Sequence, residues 1–162
     1  MEGILLIIDL TKYQEKGSYT TITGEYLPED IDYFQREINV DEPLDVKVDI
    51  YADEDEFVFT GMLEGGYRLA CTRCLDQFRY SFETDMEFII EKSEIDDLAH
   101  VDLSDKLKEN LILTIPSKAV CSSDCEGICS QCGQNLNEFN CDCEKEDIDP
   151  RLEKLGELYN EE

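Results

Sequence analysis

Eight cysteines are the residues of this chain whose type and spacing could do chemistry. Cys129-Ser130-Gln131-Cys132 is a Cys-x-x-Cys turn followed by Gly133, which can take the left-handed backbone that closes a metal knuckle without a Cβ clash. Cys141-Asp142-Cys143 follows a short polar loop, and an i, i+2 pair in extended backbone puts both sulfurs on one side. Zinc takes four soft ligands at the corners of a tetrahedron, so the first candidate site is Cys129, Cys132, Cys141 and Cys143. A second turn, Cys71-Thr72-Arg73-Cys74, is followed by Leu75 instead of glycine and needs two further ligands. Cys121 and Cys125 would complete it and tie the carboxyl-terminal tail to the body of the chain. Two alternatives stay open: the six tail cysteines share one site by exchanging partners, or Cys71 and Cys74 are a thiol redox or metal-transfer pair. One or two zinc ions are therefore expected. Because every candidate ligand is sulfur, the sites read as closed and structural, without the open position a catalytic zinc keeps for water.

The elements that must position these thiols can be read from hydropathy. Leu44, Val46, Val48 and Ile50 alternate with Asp45, Lys47 and Asp49, the period of a strand with one buried face. Phe57 to Leu63 reads as a second strand, with Glu64-Gly65-Gly66 as a hairpin turn and Tyr67 to Ala70 returning as a third. Phe78, Tyr80, Phe82, Met86, Phe88 and Ile90 mark a long fourth strand, so Cys71 to Cys74 falls in the connection before it. Tyr19 to Leu27 and the apolar run Ile4 to Ile8 are expected to extend this meander into a half-open barrel or twisted sheet. The first ten residues lack a basic start and are cut short by Asp9, which predicts a strand and not a leader. A helix is predicted over 103–113, with Leu103, Leu107 and Leu111 on one face, Asp102 as its cap and Pro116 beyond it. It should pack on the sheet.

Beyond Pro116 the composition changes. Six of the twenty-three residues from Cys121 to Cys143 are cysteine, and large apolar side chains are few. Such a segment has no core of its own, and zinc would supply roughly 10 kcal/mol or more of folding free energy to it. Asp149-Pro150 then reads as an N-cap and first-turn proline of a short closing helix carrying Leu152, Leu155 and Leu158. The expected class is α+β: an antiparallel sheet or barrel domain with one helix over 1–117, and a zinc-knuckle tail over 118–162.

Forty acidic residues against fourteen basic ones give a formal charge of −26. That field repels phosphate backbones and anionic lipid. No apolar stretch approaches the roughly 20 residues of a membrane helix, so a cytoplasmic chain with reduced thiols is expected, which favours metal over disulfides. His100 is the single histidine and has no nucleophile motif beside it; no phosphate-cradling loop is present. Neither an enzyme nor a small-molecule substrate is therefore expected. Against this acidity, Tyr67 to Tyr80 is locally basic: Arg68, Arg73 and Arg79 with Tyr67 and Tyr80 could grip RNA or a protein, or the arginines could offset the charge of metal thiolates.

The residues Cys71-Thr72-Arg73-Cys74-Leu75, Cys125-Glu126-Gly127-Ile128-Cys129-Ser130-Gln131-Cys132-Gly133-Gln134-Asn135-Leu136-Asn137, Cys141-Asp142-Cys143 and Asp149-Pro150-Arg151-Leu152 together resemble the YceD-like family, the bacterial large ribosomal RNA subunit accumulation proteins. The resemblance runs from the sheet to the last helix. It implies a non-enzymatic role in accumulation or processing of 23S ribosomal RNA, with ribosomal RNA or basic ribosomal proteins as partners. It also implies that the Cys-x-Arg-Cys pair matters more than the tail cysteines, which some members lack, and this draws interest to Arg73.

Overall fold

The computed structural model describes residues 3–29, 31–33 and 36–143. Its centre is a four-stranded antiparallel sheet in the order β2-β5-β6-β7, built from β2 (Tyr19–Tyr26), β5 (Leu44–Ala52), β6 (Glu56–Ala70) and β7 (Gln77–Glu91). Strands β5, β6 and β7 form the expected meander, and β2 adds outside β5 in the register Tyr26↔Leu44 to Tyr19↔Tyr51. The sheet is open, with β2 and β7 at its two edges.

Side-chain alternation makes the layers. Leu44, Val46, Val48, Ile50 and Ala52 of β5 are all buried, as are Phe57, Phe59, Leu63, Tyr67 and Leu69 of β6, because successive strand residues point to opposite faces. The intervening residues, among them Asp45, Lys47 and Glu64, face outward. The helix α1 (Ser104–Leu113) lies on the buried side: Leu103, Leu107 and Leu111 are fully buried in one cluster with the sheet's inner residues. Tyr26 Oη donates to the Ser104 carbonyl at 3.1 Å, and Tyr67 Oη lies 3.1 Å from Thr114 Oγ1. Asp102 Oδ1 accepts the Ser104 N–H at 2.8 Å, as a cap would, one residue before the assigned N-cap Leu103.

The sheet departs from expectation in two places. The amino-terminal run does not join it: only β1 (Ile7–Ile8) is a strand, paired antiparallel with β8 (Val101–Asp102), while Ile4 bridges Leu27. A small hairpin, β3 (Ile31–Tyr33) with β4 (Arg36–Ile38), forms a third sheet. Gly65 and Gly66 also do not turn the chain. β6 runs through them without a break, opposite Phe82 and Ser81 of β7. The glycines make room: a Cβ on Gly65 would strike the Leu44 side chain, and one on Gly66 would press on Arg79 and the Tyr80 carbonyl. The rings of Tyr67 and Phe82 then sit 5.3 Å apart. The turn comes instead at Cys71 to Asp76, where Cys71 N–H donates to the Asp76 carbonyl at 2.8 Å. The predicted closing helix with Leu152, Leu155 and Leu158 lies outside the described residues.

With no exposed surface on Leu107, its truncation leaves a cavity between helix and sheet. Leu107→Ala is expected to lower stability by about 3 kcal/mol, read as a shifted urea midpoint with unchanged slope.

Candidate metal centres

The tip of the β6–β7 hairpin is the Cys-x-x-Cys turn itself. Leu75 N–H donates to the Cys71 carbonyl at 3.0 Å, and Arg73 N–H points at Cys71 Sγ at 3.4 Å. The tail turn repeats this geometry, with Gly133 N–H donating to the Cys129 carbonyl at 2.9 Å. The residue after each pair is left-handed: Gly133 has φ 74° and Leu75 has φ 67°. Leucine therefore occupies the position that the sequence reading reserves for glycine, at a backbone cost of about 1–3 kcal/mol.

The structure gathers the thiols into two groups of four. Cys71 and Cys74 from the hairpin tip meet Cys121 and Cys125 from the tail, and Cys129, Cys132, Cys141 and Cys143 meet one another. Within each group all four sulfurs lie within 4.8 Å of one another. Cys71 Sγ is 3.8 Å from Cys125 Sγ, and Cys74 Sγ is 3.7 Å from Cys121 Sγ. The edge of a tetrahedron with metal–sulfur bonds of about 2.3 Å is about 3.8 Å, whereas a disulfide needs about 2.05 Å. These donors fit a tetrahedral thiolate metal, zinc or iron by chemistry alone.

Ionisation within each group is uneven. Burial pushes the Cys71 thiol up, but the backbone N–H groups of Cys74, Cys121 and Arg73 outweigh it and bring the thiol to about 6. Cys129 is likewise brought to about 6 by the N–H groups of Cys132 and Gln131. The partners go the other way. Asp76 N–H pulls Cys74 down, yet burial and the sulfurs of Cys71, Cys121 and Cys125 leave it at about 12. The Cys132 sulfur and burial push Cys143 to about 12. Cys71 and Cys129 ionise readily, whereas Cys74 and Cys143 lose their protons only against a balancing cation.

Outside the sulfurs, a polar lattice joins the two groups. Thr72 N–H and Oγ1 both donate to the Ala119 carbonyl, at 2.8 and 3.0 Å. Arg73 takes part at three points: its guanidinium donates to the Cys125 carbonyl at 3.0 Å, its own carbonyl accepts Ile128 N–H at 3.1 Å, and its N–H faces Cys71. Gly127, at φ 82°, passes close to the Arg73 carbonyl. Asn135 Nδ2 donates to Asp76 Oδ2, Asn137 Oδ1 accepts Glu126 N–H at 2.8 Å, and Asn137 Nδ2 points at Cys125 Sγ at 3.5 Å. Asn135 and Asn137 stand in the motif that carries the family resemblance but have no role assigned to them there, and Asp76 lies outside that motif. The signal that could have found them is local: Asn and Asp side chains bond nearby backbone where no core fixes it.

The structure places the arginines and tyrosines of the expected contact group in different surroundings. Tyr67 is fully buried, its ring stacked at 5.6 Å on that of half-buried Tyr80, because its position in β6 faces the core. Arg68 and Arg79, opposite each other in the ladder, are neutralised by Asp41 at 2.8 Å and Glu42 at 2.7 Å. Arg73 is exposed at the hairpin tip, but its guanidinium is engaged by the tail. His100 is an exposed residue bonded to Asp97. No helix of the described residues is long and apolar enough to cross a membrane.

An open antiparallel sheet whose hairpin tip and tail assemble two four-thiol centres defines a small sheet protein with a thiol-organised tail. A family model described as large ribosomal RNA subunit accumulation protein YceD matches residues 59–159, which spans the long hairpin and both thiol groups. The chain belongs to the YceD family. It is 37% identical over 62 residues to the large ribosomal RNA subunit accumulation protein YCED homolog 1, chloroplastic, of Arabidopsis thaliana, which covers 38% of this chain and 19% of that protein. The chain thus spans about a fifth of the plant relative's length. It is also 30% identical over 127 residues to YlbN of Bacillus subtilis, covering 72% of this chain and 73% of that protein. No solved structure matches.

The strained leucine gives a direct check on the tip. Leu75 is 63% exposed, so Leu75→Gly removes little packing; relief of strain, less the entropy glycine adds to the unfolded chain, is expected to raise stability by roughly 1 kcal/mol in urea unfolding.

Proposed function

We propose that this chain is a non-enzymatic factor supporting large-subunit ribosomal RNA accumulation, whose two thiol groups each hold a structural zinc ion. In this reading residues 1–117 are the scaffold, and the segment from 118 onward is a tail folded by metal. The observation that carries it is the spacing of the sulfurs, two groups of four at the separations of a metal tetrahedron. Membership of a family described by large ribosomal RNA subunit accumulation supplies the process. All eight ligands being sulfur leaves neither ion an open position for a reacting water. The zinc ions would order the tail and add no chemical step. The chain acts by presenting a surface to ribosomal RNA or to basic ribosomal proteins, in keeping with a cytoplasmic site of action, and its formal charge of −26 favours the proteins.

The competing reading, a redox or metal-transfer pair at Cys71 and Cys74, would draw on the low pKa of Cys71. Burial counts against it: Cys71 is 0% exposed and Cys74 4%, and thiol exchange requires access to the attacking sulfur.

Elemental mass spectrometry of protein purified reduced, without added metal, should give two zinc ions per chain, one for each group of four thiols. Cys129→Ser with Cys132→Ser should leave one. Cys71→Ser with Cys74→Ser should remove its own ion and loosen the tail, seen as new protease cuts between Cys121 and Cys143. Absence of bound metal from the freshly reduced protein would overturn the metal reading. In the host, loss of the gene should lower mature large-subunit RNA relative to small-subunit RNA, and an unchanged ratio would overturn the role.

A further inference from the structure

Strand β7 is an edge. Among the described residues it pairs with β6 alone, residue for residue from Gln77 to Glu91. The direction of its backbone groups follows from the two ends of the ladder. Cys71 N–H donates to the Asp76 carbonyl and Lys92 N–H to the Asp55 carbonyl, each at 2.8 Å, and both pairs continue the same register. Antiparallel ladders alternate bonded and non-bonded pairs. Even-numbered residues of β7 therefore turn their N–H and C=O toward β6, and Ser81, Glu83, Asp85, Glu87 and Ile89 turn theirs to the open side, where the Asp85 carbonyl accepts Thr84 Oγ1 at 3.2 Å.

Proteins normally blunt so long an edge with proline, a bulge or an inward charge. β7 has 15 residues, where about 5–6 is usual, contains neither proline nor glycine, and keeps its register without a bulge. Of its inward side chains Met86 is buried, while Phe78, Tyr80, Phe82, Phe88 and Ile90 are only partly buried, so the edge of the core is left partly uncovered. Its outward side carries Glu83, Asp85 and Glu87, and Glu83 continues the row of Asp45 and Glu64 on the neighbouring strands. A second copy of β7 laid antiparallel here would set these carboxylates against one another, which destabilises a strand pair. A strand bearing lysine or arginine on that face would meet the opposite charge.

We propose that the β7 edge is a docking site for an extended basic segment of a protein, added to the sheet as a fifth strand. Its backbone would pair with the open N–H and C=O groups, its apolar residues would cover Phe82 and Phe88, and its cations would face Glu83, Asp85 and Glu87. RNA is disfavoured because this surface offers peptide pairing and negative charge. The partner class deepens the function proposed above and takes its biological meaning from it; the edge itself does not depend on the metal centres.

The full chain is titrated with a labelled peptide alternating Lys and Val, with its Glu–Val counterpart and with an oligouridine, while amide exchange is followed by NMR. Rapid exchange at Ser81, Glu83, Asp85 and Glu87 in the free chain, slowed by the Lys–Val peptide, is expected. Ser81→Pro removes one outward N–H and no bond to β6, and should weaken the peptide about tenfold at an unchanged unfolding midpoint. Should that variant not fold, Glu83→Lys with Asp85→Lys and Glu87→Lys is the second test and should transfer preference to the Glu–Val peptide. Slow exchange at those amides in the free chain would mean that residues 144–162 or a second copy already cover the edge, and would overturn the proposal. So would peptide binding that leaves them fast, or tighter binding of oligouridine. Zinc content and the ribosomal RNA ratio are separate measurements, so failure of the edge and failure of the function are told apart.

Discussion

Four thiols contributed by two distant parts of the chain must converge at the tip of one hairpin, and the order of the cysteine-rich tail depends on that convergence. Ordering a residue costs about 1–2 kcal/mol of backbone entropy, and the segment from Cys121 to Cys143 offers little apolar surface against it; Cys125 and Cys129 are its buried side chains among the core residues. Single hydrogen bonds contribute about 1 kcal/mol each. On the proposed reading a tetrahedral ion supplies an interaction of sufficient size, and it would act only with Cys71 and Cys74 already held in place. The long hairpin holds them, because fifteen register pairs and the packed rings of Tyr67, Tyr80 and Phe82 keep its far end from splaying.

Order then passes from one thiol group to the other. Cys125 belongs to the first group and Cys129 to the second, and between them Gly127 and Ile128 run against the Arg73 carbonyl. Asp76, just past the hairpin turn, holds Asn135. The second group draws all four thiols from the tail, two of them exposed, and rests on the first through these bonds. Arg73 is the shared support, bonded to Cys125 by its side chain and to Ile128 by its backbone. The arginine of the Cys-x-Arg-Cys turn thereby has a structural role, joining the tail to the sheet.

Period-two alternation made β5 and β7 legible, because a half-buried strand writes its two faces directly into the sequence. Cysteine spacing made both four-thiol groupings readable, although spacing alone left open how Cys121 and Cys125 would pair. The Gly65-Gly66 turn was misread although the sequence carries a contrary sign. Phe57, Phe59, Leu63, Tyr67 and Leu69 stay in one phase across the two glycines, as in an uninterrupted strand. Leu75 was hidden for a different reason, since its left-handed backbone is imposed by the turn and runs against leucine's own preference. Tyr67 looked like a contact residue because an aromatic beside arginine has the same appearance on either face of a strand, and only register decides which face it takes.

The acidity of the chain has no comparable place in its stability. No charged side chain is buried among the described residues, exposed ion pairs such as Lys16 with Asp53 contribute little, and a net charge of −26 opposes compaction. Thiolate metal centres would add negative charge, since four thiolates outweigh one divalent ion. The basic residues near the hairpin are already engaged: Arg68 and Arg79 by Asp41 and Glu42, Arg73 by the Cys125 carbonyl. On the proposed reading, the carboxylates along the open strand would meet a cationic partner and oppose pairing with a second copy. The same field that opposes compaction would thereby select the partner on the proposed reading.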